Sequence, residues 1–181
     1  FENCVLYRIS GNPRYLLECE MSTAEAYENI LKLQDNCRYL DLGAYNGDTV
    51  SEFISHCENY GSIIAVEPDC RSFKKLESFL SQKRDCKALN LSVSDCKKTV
   101  LFEQSAGRQS KIGQGKPMNA DSVDNILSGD AVDFINVDVE GAELDMIKGA
   151  KNTILNFKPK MLISCYHRTE DYFSIPKAVL Q

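Results

Sequence analysis

From Arg38 onward the chain repeats one arrangement: a short apolar run, a turn, then an amphipathic stretch of helical length. The apolar runs cover residues 39–42, 63–67, 132–137 and 161–165, and a further strand candidate spans 88–93. Runs this short and this rich in Ile, Val and Leu suit strands buried on both faces, the situation in a parallel sheet covered by helices. The helical stripes lie between them. Residues 48–57 follow the first strand, and 71–82 carry Phe73, Leu76 and Leu80 on one face. Leu144, Ile147, Ala150 and Ile154 form the stripe of 142–156, and a last helix is expected from Glu170 towards Leu180. Strands alternating with helices of this length need crossover connections, so the expected class is α/β with a doubly wound, mostly parallel sheet.

The first 34 residues fall outside that rhythm. Gly11-Asn12-Pro13 reads as a turn, which makes 4–9 and 15–19 a strand pair. Ser22-Thr23-Ala24-Glu25 is a capping-box pattern, and Tyr27, Ile30, Leu31 and Leu33 continue it as a helix. The expected organisation is therefore a strand pair and helix (1–34) packed on a main domain (35–181). At 181 residues and 43% hydrophobic composition the chain can bury a core without disulfide or metal staples. Between Lys97 and Pro117 there is one short strand, 99–103, followed by a polar loop. Such a loop reads equally as a lid over a site or as a solvated insertion.

A net charge of −5 and the lack of any basic window argue against a nucleic-acid partner. No apolar run approaches the ~20 residues of a membrane span. The eight cysteines contain no C-x-x-C pair, which fits reduced thiols in a cytoplasmic protein better than a disulfide or zinc framework.

Chemistry concentrates where strands end. In residues 39–49 a strand runs into Gly43, and a helix opens after Gly47. In an open α/β sheet, ligands bind at that carboxyl edge. A dinucleotide fingerprint needs a second glycine beside the pyrophosphate, and Tyr45 occupies that position here. A nucleoside ligand without a diphosphate fits better. The second strand ends in Glu67, 24 residues after Gly43, where a carboxylate can accept both ribose hydroxyls; Asp69 has a sufficient reason to be there as a helix cap. The fourth strand continues into Asp138, Glu140 and Glu143. Glu143 is accounted for as a negative charge at a helix N-terminus. Asp138 and Glu140 could bind a divalent cation, but no third ligand is identifiable in the sequence, and no metal is expected. His167, at the end of the last strand, joins Asp138 and Glu140 as a candidate base, while His56 reads as a solvated surface residue.

Five segments together resemble the FkbM-type methyltransferases: Asp-Leu-Gly-Ala-Tyr-Asn-Gly-Asp-Thr (41–49), Ala-Val-Glu-Pro-Asp (65–69), Ser-Val-Ser-Asp (92–95), Asp-Val-Glu-Gly-Ala-Glu-Leu (138–144) and Ile-Ser-Cys-Tyr-His (163–167). The resemblance implies a Rossmann-like class I fold and S-adenosylmethionine as cofactor. It implies O-methylation of a sugar or small-molecule hydroxyl, with a small molecule or glycan as partner. It places the cofactor against Asp41, Gly43, Ala44, Tyr45, Asn46, Gly47, Glu67, Pro68, Ser92 and Asp138, and catalysis at Asp138, Glu140 and His167. Asn136 stands where the family usually has Lys. The fold it implies ends in an antiparallel strand pair beyond Gln181, so strand 161–165 is expected at the sheet edge, open to pairing with a second copy. Two other classes compete: a cofactor-binding module without catalysis, and a nucleotide-dependent oxidoreductase, which Tyr45 disfavours.

Overall fold

The structure is a computed structural model and describes residues 2–18, 21–103, 111–112 and 115–180. Its centre is a parallel five-stranded sheet. The strands are β1 (Arg38–Leu42), β2 (Ser62–Val66), β3 (Cys86–Leu89), β8 (Phe134–Val137) and β9 (Lys160–Ile163), in the order β3-β2-β1-β8-β9. A second sheet, in the order β4-β7-β5-β6, contains β4 (Ser92–Val93), β5 (Lys98–Glu103), β6 (Lys111–Ile112) and β7 (Lys116–Asp121).

Alternation along each strand sends successive side chains to opposite faces and so makes two cores. Tyr39, Ile63 and Phe134 pack beneath helices α4 (Asp48–His56) and α5 (Cys70–Leu80), against Val50, Phe53 and Leu76. Leu40, Leu42, Ile135 and Val137 form the opposite core with α6 (Val123–Leu127), α7 (Glu143–Gly149) and α9 (Asp171–Val179). The register fixes the functional edge. Leu42 pairs with Val66 and Val137, and Val137 with Ile163, so residues 43, 67, 138 and 164 leave the sheet side by side.

Several expectations are corrected. The N-terminal strand pair is instead two helices, α1 (Glu2–Ser10) and α2 (Arg14–Leu17), so the 1–34 segment contributes helices only. The Gly-Asn-Pro signal marks a helix stop rather than a hairpin: Gly11 (φ +67°) donates its N–H to the Tyr7 carbonyl at 2.7 Å, as a left-handed C-terminal cap does, and Asn12 Oδ1 accepts from Arg14 N at 3.0 Å. Residue 19 lies outside the described residues. The capping box holds, with Ser22 Oγ accepting from Glu25 N, but α3 (Thr23–Glu25) passes into a π-helical stretch, Ala26–Leu31.

The strand expected over 88–93 divides at Asn90, its first half in the central sheet and its second in the other. The helix expected over 142–156 breaks at Ala150 (φ −107°, ψ 10°) into α7 and α8 (Lys151–Phe157). Asp124 stabilises the break, accepting from Thr153 N and Oγ1, both at 2.8 Å. Strand β6 and the first two residues of β7 fall in the stretch expected as a polar loop, and the rest of β7 and helix α6 fill residues that carried no sequence expectation. The polar stretch before them falls partly on 104–110 and 113–114, outside the described residues.

Strand β9 ends the order of the central sheet, as expected, with Leu162 43% exposed. The seven described cysteines are free. Among the described residues no helix is long and apolar enough to cross a membrane.

Candidate functional site

A cleft opens at the carboxyl edge where β1, β2 and β8 end. Gly43, Tyr45, Glu67, Pro68, Ser92 and Asp138 line it, joined by Asp48, Thr49, Leu91, Val93, Phe102 and Glu140. Of the remaining residues expected to touch a cofactor, Asp41 and Ala44 are fully buried beneath it. Neither these nor Asn46 and Gly47 line the opening.

The first wall is built on backbone. Gly43 (φ +88°) turns the chain out of β1 so close to β8 that a Cβ there would lie 2.0 Å from the Asp138 carbonyl oxygen. Gly47 (φ +93°) turns it back into α4 against the Phe79 ring. Between them Tyr45 adopts a left-handed conformation (φ +48°), which costs an L-residue roughly 1–2 kcal/mol. That conformation has a partner, because the Tyr45 N–H donates to Glu67 Oε2 at 2.8 Å. Glu67 Oε1 accepts from Asp69 N at 2.7 Å, and Asp69 caps α5 as expected, accepting from the Arg71 and Ser72 N–H groups.

Glu67 is thus 6% exposed and tied to both loops, with each oxygen retaining acceptor capacity. Burial raises its pKa to about 7, against the opposing pull of the two N–H donors. Under the same wall Asp41 is held by Thr49 Oγ1 at 2.5 Å and Asn136 Nδ2 at 3.0 Å. Burial pushes its pKa up to about 6, since both partners are neutral dipoles. Asn136 therefore supplies a donor to Asp41 but no charge.

The opposite wall is built on side chains. The Tyr166 hydroxyl donates to both Asp138 oxygens at 3.0 Å, and burial with the Asp138 charge raises the Tyr166 pKa, which keeps its proton in place. Behind Asp138 sits His167, its side chain 11% exposed. Its Nε2 lies 3.4 Å from Asp138 Oδ1 and 3.2 Å from Glu140 Oε2, and its Nδ1 lies 2.9 Å from Glu143 Oε1. Both ring nitrogens are buried, yet neither makes an aligned hydrogen bond despite these short separations. Glu143, which had looked sufficiently explained by the helix N-terminus, is 1% exposed and faces the imidazole. Glu140 (φ +54°) and Gly141 (φ +94°) make the turn that brings Glu140 back over the ring.

Strand β9 carries His167 to this point, since Ile163 pairs with Val137. Sequence reasoning brought Asp138, Glu140 and His167 to one edge but not into mutual contact. It did not find Phe102, which reaches the cleft from the second sheet, or Tyr166.

Residues 41–179 match the model of the methyltransferase FkbM domain. The chain belongs to the FkbM methyltransferase domain family. Among solved structures, an FkbM methyltransferase from Methylobacillus flagellatus KT superposes with a TM-score of 0.81 at 22% identity, over 98% of this chain and 46% of that one. The chain therefore spans about half the length of that relative. Precorrin-6y C5,15-methyltransferase from Geobacter metallireducens GS-15 aligns with a TM-score of 0.51 at 13% identity, over 82% of this chain and 63% of its own. An rRNA methylase from Streptococcus thermophilus gives 0.51 at 8% identity, over 89% and 80%. At these identities the likeness is one of fold, and the fold is that of class I methyltransferases. No curated protein matches the chain by sequence.

Proposed function

We propose that this FkbM domain binds S-adenosylmethionine in the cleft and transfers its methyl group to a hydroxyl oxygen of a sugar or small molecule. Glu67 carries the reading. A buried carboxylate at the end of β2, held by Tyr45 N–H and Asp69 N–H, keeps acceptor capacity towards a cleft whose other lining includes Leu91, Val93 and Phe102. That acceptor and apolar lining suit a ribose, whose hydroxyls donate, beside a flat base, and Tyr45 at the turn suits a ligand without a diphosphate. The lining therefore fits the cofactor that the family implies.

When bound, the cofactor supplies a methyl group already activated on a sulfonium. The chain's work is then alignment and removal of one proton. Glu67 would hold the nucleoside end, and the residues of the opposite wall would have to hold an acceptor hydroxyl in line with that methyl group. The hydroxyl proton goes to the protein side, where Asp138 and Glu140 meet the cleft with His167 against both. Net charge −5 supports a neutral acceptor rather than a nucleic acid. Free thiols support a reducing compartment such as the cytoplasm. The exposed edge of β9 supports pairing with a second copy.

Calorimetry with S-adenosylmethionine and its demethylated product tests the cofactor assignment, and labelled methyl transfer into an extract of sugars and small molecules tests the reaction. Glu67→Ala is expected to weaken binding by about 1–3 kcal/mol, the range for losing hydrogen bonds to a charged group. Equal affinity of both proteins overturns the assignment. Binding without transfer to any acceptor means a cofactor-binding module instead.

A further inference from the structure

We infer that Asp138, Glu140 and His167 form a binding site for one divalent cation, with Glu143 as the carboxylate that orients the imidazole. The inference deepens the methyltransferase reading of the cleft, because Asp138 and Glu140 line it, but it stands on its own observations.

The first is geometric. One ligand atom from each of the three residues lies within 4.8 Å of the others, and Nε2 sits 3.2–3.4 Å from its two carboxylate neighbours. Donor atoms on adjacent positions of a cation with bonds of about 2.1 Å are separated by roughly 3 Å. The two imidazole–carboxylate separations are therefore near the spacing that one shared cation imposes.

The second is the electrostatic state of His167. Three carboxylates surround one imidazole whose two nitrogens are buried without an aligned hydrogen bond. A neutral imidazole can donate from one nitrogen only. If Nδ1 carries the proton towards Glu143, the Nε2 lone pair points at two anionic oxygens. A divalent cation between Nε2, Asp138 Oδ1 and Glu140 Oε2 gives that lone pair and both oxygens a common partner.

The surroundings are those of a metal centre. A ligating histidine commonly turns its second nitrogen to a carboxylate, and Glu143 Oε1 is 2.9 Å from Nδ1, itself accepting from Gly141 N at 3.2 Å. Tyr166 restrains the plane of the Asp138 carboxylate from the other side. Two carboxylates with a single imidazole favour a hard or borderline ion such as Mg²⁺ or Mn²⁺. An ion there has positions open towards the cleft, where an acceptor oxygen can coordinate and acidify.

Mn²⁺ is the probe. Titrated into the whole chain without cofactor or acceptor, it is expected to lose its free-ion paramagnetic resonance signal with one tight equivalent. His167→Ala and Glu140→Gln should each weaken binding at least tenfold, while Asp145→Asn, at an exposed carboxylate on the same helix as Glu143, should leave it unchanged. The wild-type chain offers a check that needs no variant, because it has two histidines. Substoichiometric Mn²⁺ should broaden the imidazole resonances of His167 and spare His56, which stacks on Tyr27 at the far end of α4. No loss of free ion at millimolar Mn²⁺, equal broadening of both histidines, or undiminished binding by a folded His167 variant overturns the inference. Since S-adenosylmethionine is absent from these measurements, failure here is separate from failure of the cofactor assignment.

Discussion

The two walls of the cleft are made differently. On the β1–β2 side the carboxylates are satisfied by the chain itself: Glu67 takes two backbone N–H groups, Asp69 two more, and Asp41 a hydroxyl and an amide, the buried Tyr39 hydroxyl beneath them being the exception. On the β8–β9 side Asp138 accepts from Tyr166 and Glu143 Oε1 from Gly141 N, but the two His167 nitrogens that these carboxylates crowd, and Glu143 Oε2, have no aligned partner. A wall of the first kind is complete before a ligand arrives. One of the second kind holds buried polar groups whose desolvation the chain itself does not offset, which calls for a catalytic role, a water or an ion to explain it. The difference separates the wall proposed to seat the nucleoside from the wall proposed to hold the chemistry.

The largest effect should come where the walls touch. Gly43→Ala drives a Cβ to 2.0 Å from the Asp138 carbonyl and also places Ala at φ +88°. A loss of about 3 kcal/mol or more is expected, within the range for named severe mechanisms, read as the urea midpoint. A near-neutral result would mean that the walls can separate.

A smaller effect concerns protons. Asp41 and Glu67 have folded-state pKa values raised by burial to about 6 and about 7, so the folded chain keeps protons that the unfolded chain has released. Stability from these groups is therefore greatest in acid and declines as pH rises from about 4 to about 7, by at most roughly 1.4 kcal/mol per pH unit for each group. Glu67→Gln should flatten the decline between pH 6 and 7, and Asp41→Asn the decline between 4 and 6. Urea titrations at each pH that show an unchanged slope would remove burial as the dominant influence on that wall.

The smallest concerns Tyr45. Its left-handed backbone suits glycine, so Tyr45→Gly should leave stability within about 1 kcal/mol of wild type, relief of strain offsetting the lost side chain and added chain entropy. Thermal unfolding of the variant gives the value. A larger loss would show that the side chain, more than the turn, builds the wall.

These contrasts track what the sequence made legible. The first wall is local: a turn between two glycines, an acidic strand end and a helix cap each write themselves into consecutive residues. Strands β1, β2, β8 and β9 were equally legible as apolar runs, whereas the strand expected over 88–93 ran β3 and β4 of two different sheets together. The second wall depends on register. Nothing near His167 announces Glu143, 24 positions earlier in the sequence; the contact exists because β8 and β9 pair with Val137 opposite Ile163. Phe102 was hidden for a similar reason, since its place follows from β5 pairing in a second sheet. The N-terminal helices were missed because Val5, Leu6, Tyr7 and Ile9 carry strand propensity, whereas Gly11 closes a helix there.

The two glycines of the turn differ in what a geneticist could do with them. The obstacle facing a side chain at 47 is the ring of Phe79, and trimming residue 79 would reopen that space, leaving only the backbone angle to object. The obstacle at 43 is a main-chain oxygen, present whatever amino acid occupies position 138. No substitution of that neighbour can remove it. A screen for second-site suppressors of Gly43 variants should therefore return revertants at 43 itself and none at 138, while the same screen at 47 can draw on residue 79.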